Sequence, residues 1–161
     1  MKNISPEDQL AAFIAKYAPE IAEQVDAVLQ RMRSRLPGAL ELVYDNYNAL
    51  ACGFAPNERA SDGIFSIAVY PKNINFFFLQ GAKIPDPDGM LHGAGSRVRY
   101  VPLENEKTLD RADVKAMMTT AMKMAKVPFD KDTKYKLVIK SVSAKQRPRR
   151  TDPTAINAKK R

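Results

Sequence analysis

At Pro37-Gly38 the apolar spacing of this chain changes, and that change restricts the fold more than any motif does. Before it, Ile21, Val25, Val28, Leu29, Met32 and Leu36 recur in steps of three and four, the spacing of one helix face. After it, Leu40, Leu42 and Tyr44 alternate with Glu41, Val43 and Asp45, the period of a half-buried strand. Helices therefore come first and strands follow.

The same reading extends in both directions. Ser5 is placed to cap a first helix, with Pro6 at its first position and Leu10, Phe13, Ile14 and Tyr17 on its apolar face. Further strands are expected over 49–54, 64–70, 74–79 and 97–103, the middle two joined as a hairpin through Pro71-Lys72-Asn73. Aromatics at Phe76, Phe77 and Phe78 predict a strand covered on both faces. Asp110 is expected to cap a helix that buries Val114, Met117, Met118, Ala121, Met122 and Ala125. Tyr135, Leu137 and Ile139 alternate with lysines, as a protected edge strand does. The fold class is α+β: a mostly antiparallel sheet of five or six strands, with the N-terminal helices and a C-terminal helix packed on one face.

Several classes are excluded early. A single cysteine, Cys52, rules out an intramolecular disulfide and a zinc site built on several thiolates. Residues 1–8 lack the apolar stretch of a signal peptide. The most apolar run, 74–79, falls far short of the roughly 20 residues that cross a bilayer. The expectation is a cytoplasmic protein with no membrane partner. The net charge of +8 is concentrated late in the chain: from Lys140 onward eight bases face one acid, Asp152, and the rest is close to neutral. This divides the chain into a folded domain at 1–143 and a flexible basic tail at 144–161.

Three groups of residues carry candidate chemistry. Asp45-Asn46-Tyr47-Asn48 places a carboxylate, amides and a phenol together, suited either to a turn or to a polar ligand pocket. With Leu42 and Tyr44 under the helices, Asp45 is expected on the opposite sheet face, where Arg97 and Arg99 would join it around a small polar or anionic ligand. Glu20, Glu23 and Asp26 share one face of the second helix; they are either a solvated acidic ridge or oxygen ligands for a hard cation. Arg147, Arg149 and Arg150, in the tail, are either a solubilising run or phosphate contacts to nucleic acid.

Longer stretches add a resemblance. Phe13-Ile14-Ala15-Lys16-Tyr17-Ala18-Pro19-Glu20-Ile21, Leu36-Pro37-Gly38-Ala39 and the segment from Glu41 through Asp45-Asn46-Tyr47-Asn48-Ala49-Leu50 resemble the YdhG-like family. So do Phe65-Ser66-Ile67-Ala68-Val69-Tyr70-Pro71, the Gly93-x-Gly95-x-x-x-Arg99 turn and Gln146-Arg147-Pro148-Arg149-Arg150. That family is bacterial, of unknown function, with some members likened to frataxin and proposed as iron chaperones. The resemblance implies a non-catalytic accessory domain with iron as a ligand. Beside it stand a metabolite pocket, perhaps enzymatic, at Asp45–Asn48 with Arg97 and Arg99, and nucleic-acid association through the tail.

Overall fold

A computed structural model describes residues 3–151. Helix α1 (Pro6–Ile14) begins as its sequence dictates: the Ser5 side chain accepts a hydrogen bond from the Asp8 N–H, and Pro6 occupies the first turn. Helix α2 (Pro19–Arg35) follows after a short break. It closes at Leu36, and Gly38 then turns the chain with φ +87°. A Cβ at Gly38 would also lie 2.0 Å from the Asp130 carbonyl oxygen, so both the backbone conformation and the close approach demand glycine.

Six strands form one sheet: β1 (Leu40–Asp45), β2 (Leu50–Ala55), β3 (Phe65–Val69), β4 (Ile74–Phe78), β5 (Arg99–Leu103) and β6 (Leu137–Val142). Their order is β5-β4-β3-β2-β1-β6. The first five make an antiparallel meander, and β6 returns to lie parallel to β1. Helix α3 (Ala112–Met124) lies in the return path. The expected α+β class and strand content hold. β6 is an edge, and the β3–β4 hairpin forms as expected.

Residues from all three helices join one apolar cluster with a single face of the sheet. Leu10, Phe13, Val25, Val28, Met32, Val114 and Met118 pack with Val43, Cys52, Phe54, Phe65, Ile67, Phe76, Phe78 and Val101. A smaller cluster, Leu40, Leu42 and Ala55 with Tyr44 and Val138, lies on the other face. Phe77 and Tyr100 also lie on this second face, with ring centroids 5.1 Å apart and both side chains half-buried. β4 is thus covered by the core on one face, and on the other Asn75 is buried and Phe77 half-buried, so the expected cover on both sides holds in part.

The face assignment of β1 is also corrected. Val43 packs under the helices, so Glu41 and Asp45 face them too, while Leu42 and Tyr44 face away. β1 carries apolar residues on both faces, so alternation alone could not choose between them. Each buried acid has a guanidinium. Arg33 grips Glu41 with two 2.8 Å hydrogen bonds, and Tyr135 donates a third. Asp110 does not cap α3: it ends a 3-10 turn (Glu106–Asp110), where Arg31 and Arg35 of α2 bind its carboxylate. Among the described residues, no helix is long and apolar enough to cross a membrane.

Candidate functional site

Asp45-Asn46-Tyr47-Asn48 resolves as the end of β1 and the tight turn into β2, closed by the Asn46 N–H donating to the Ala49 carbonyl at 3.0 Å. Asn46, Tyr47 and Asn48 are exposed. Asp45 is buried, its side chain 1% accessible, and accepts hydrogen bonds from Lys16 Nζ at 2.8 Å and Arg149 at 2.9 Å. Burial pushes its carboxyl up, but the Lys16 ammonium and the Arg149 guanidinium outweigh that and hold it below the ordinary carboxylate value.

Arg149, 3% accessible at its side chain, also donates to the Asn46 and Tyr47 carbonyls and lies over the Tyr17 ring. Its Nε is buried without a partner among the described residues. Around it the chain after β6 is stitched down. The Ser143 N–H donates to the Asp45 carbonyl, the Gln146 amide donates to the same oxygen, and the Arg147 N–H donates to Tyr47. Arg150 donates to the Ala15, Lys16 and Tyr17 carbonyls, the free C-terminal carbonyls that follow α1. A flexible tail from 144 is therefore corrected: residues 143–150 are a docked clamp. The part of the expected tail at 152–161 lies outside the described residues.

This clamp alters two of the expected sites. Arg149 and Arg150 are engaged with the protein's own acceptors, and Arg147 lies over the Tyr47 ring at 5.6 Å. They are not a free phosphate-binding run. Asp45 is saturated by cations of its own chain, and its convergence with Arg97 and Arg99 fails on strand order. β2, β3 and β4 lie between β1 and β5, a separation of about 19 Å at the usual strand spacing. Arg99 is held locally by the Gly95 and Val98 carbonyls. The Gly93–Arg99 turn is thus organised by its own arginine.

The acidic ridge does not assemble either. Glu20, Glu23 and Asp26 are exposed on α2, and among the described residues no group of three or more His, Cys, Asp or Glu side chains is gathered closely enough to hold a metal ion. Cys52 is fully buried, and burial pushes its thiol well above its ordinary value, which suits packing rather than nucleophilic attack.

Of the predicted residues, Asp26 borders a hollow of about 260 Å³ with Glu7, Arg33 and Tyr135, and Arg97 borders a larger cleft. It has a volume of about 410 Å³, within the range of small-molecule sites. One wall comes from the 3-10 turn Gly81–Lys83 and the approach to β5, bringing Lys83 and Arg97 together; the Ala82 N–H donates to the Arg97 carbonyl at 3.0 Å. The packing is close there: a Cβ at Gly81 would lie 2.6 Å from the Arg99 Cβ. The end of α3 and its exit also line the cleft, with Ala121, Met124, Ala125, Lys126 and Val127. Ile64 and Ile84 add apolar surface. Asp62, from the 3-10 turn Ala60–Asp62, is the acid of the lining; it accepts from Asn57 and lies 3.7 Å from Arg59. Three cations thus border a concavity of mixed polar and apolar lining whose acid already has partners.

Sequence reasoning found Arg97 and missed Lys83 and Lys126. Each stands in a Pro-containing loop or helix exit with no pattern of its own. No family model matches this chain, and no curated protein or solved structure matches it.

Proposed function

We propose that this chain is a non-catalytic binding domain of the YdhG-like type, and that its ligand is a small organic anion seated beside Arg97. The observation that carries this reading is the cleft itself, where Arg97, Lys83 and Lys126 border a concavity of about 410 Å³ with both polar and apolar lining. Guanidinium and ammonium groups recognise carboxylate or phosphate oxygens, and a neighbouring apolar surface adds contact area for the rest of a ligand. The iron reading that follows from the family resemblance lacks comparable support, because Glu20, Glu23 and Asp26 stand exposed and, among the described residues, no three potential ligands gather around them. The Asp45 cluster supports stability instead, since all its strong donors come from the chain itself.

Native mass spectrometry of freshly purified protein tests the proposal directly. A retained organic anion that is lost in an Arg97→Gln/Lys83→Gln/Lys126→Gln variant is the expected result. Calorimetric titration with acetate, inorganic phosphate, benzoate and decanoate gives the second readout. Absence of any retained anion, together with no binding from that panel, would overturn the assignment.

A further inference from the structure

The two walls of the cleft differ in chemistry, and that difference narrows the ligand. Lys83 and Arg97 border the cleft from two segments joined by the Ala82–Arg97 backbone hydrogen bond, with both side chains exposed. The α3 wall is apolar through Ala121, Met124, Ala125 and Val127, with Lys126 as its cation. Met124 and Val127 are 43% and 40% exposed, although both line the concavity. A compact inorganic anion would satisfy the cationic wall and leave the apolar wall wet. An uncharged apolar molecule would leave the cations unpaired. A charged head joined to an apolar body matches both walls.

Resting on the reading of the cleft given above, we propose that its ligand is an amphipathic monoanion of the acyl-carboxylate class. The carboxylate meets Arg97 and Lys83, and the chain lies along Met124, Ala121 and Val127. The charged end supplies orientation through the guanidinium fork, and the affinity grows with the apolar area covered. The volume suits a free small molecule rather than a folded partner.

The test is a calorimetric series with butanoate, hexanoate, octanoate and decanoate, each below its micellar concentration. Binding is expected to tighten roughly tenfold for every two methylenes added, until the apolar wall is covered. Decanol, with the same body and no charge, is expected to bind more weakly than decanoate. Arg97→Gln should weaken the whole series by a common factor and leave the increments intact. Met124→Asp, at a side chain already exposed enough to tolerate the change, should flatten the increments. If affinity is the same from butanoate to decanoate, or if inorganic phosphate equals decanoate, the acyl class is refuted while the anion cleft stands. If neither variant changes octanoate binding, the ligand sits elsewhere and the inference fails. If no anion binds at all, both readings fall.

Discussion

Asp45 and Arg149 are 104 residues apart in the chain and form an ion pair at 2.9 Å, with side chains only 1% and 3% accessible. Asp45 ends β1, and Arg149 lies in the segment that follows β6. Their contact therefore ties the last part of the described chain to the first strand of the sheet. Lys16, two residues beyond the end of α1, completes the group from the side of the helices.

Removing Asp45 leaves the Arg149 guanidinium buried without a counter-charge, a loss of about 3–5 kcal/mol, whereas removing Arg149 leaves Asp45 still paired with Lys16. Asp45→Ala should lower the urea midpoint by an amount of that order, and Arg149→Ala by less, because Lys16 still faces the Asp45 carboxylate. The double variant should lose clearly less than the sum. Additive losses in a double-mutant cycle would show that the two residues are not coupled.

Truncation after residue 143 removes more than charge. It takes away Gln146, Arg149 and Arg150, and with Arg150 the donors that satisfy the Ala15, Lys16 and Tyr17 carbonyls. The truncated protein should melt well below the full chain, by about 10 °C, since the lost ion pair and caps together are worth several kcal/mol and each kcal/mol is worth about 2–4 °C in a domain of this size. A melting temperature within 2 °C of the parent, read by circular dichroism, would contradict the clamp.

The Asp45 carboxyl is held below its ordinary value in the folded protein, so folding favours its charged form. Its contribution is then fully present above the unfolded value of about 4 and is lost as the pH falls through the lower folded value. Acid unfolding should accordingly be shallower in Asp45→Asn, which begins less stable at neutral pH and has less to lose below pH 4. Tyr135 works in the opposite sense. Burial and the neighbouring Glu41 charge push its phenol up to about 12, so its contribution persists below pH 10 and fades as the pH rises from 10 toward 12. Tyr135→Phe should flatten that alkaline loss. Parallel pH profiles for variant and parent would refute either assignment.

Tyr17 marks the point where the end of α1 meets the middle of the sheet. Its hydroxyl donates to the Val69 carbonyl at 2.7 Å and accepts from the Leu50 N–H at 3.1 Å, and the residue is 1% exposed. Leu50 and Val69 are register partners across β2 and β3. Tyr17→Phe leaves both groups without the bridging oxygen and should cost about 1–3 kcal/mol, measured by urea unfolding. The loss should leave the Arg97 cleft unaffected, because its lining comes from other elements.

Much of the fold was legible because it depends on local period. The switch at Pro37-Gly38, the Ser5-Pro6 start and the alternating runs each report contacts within a few residues, and the α+β order follows from them. Period alone did not determine which face of β1 meets the helices, because Val43 on one face and Leu42 on the other are equally apolar. The basic segment after β6 read as solvated for a similar reason. An arginine is buried only when an acceptor waits for it, and the acceptor for Arg149 stands 104 residues upstream.

The candidate site divides the same way. Arg97 was visible in the sequence as a cation near a glycine-rich turn, but its partners were not. Lys83 and Lys126 come from separate connections that are brought together only when β5 takes the sheet edge and α3 ends nearby. Asp45, Arg97 and Arg99 had suitable chemistry for a shared pocket, yet the meander placed three strands between them. By itself, the sequence determined the local elements, their order and the chemical types available. Tertiary structure decided which charges are buried in pairs and which border open space, because burial and charge pairing depend on distances that only the strand order and helix packing set.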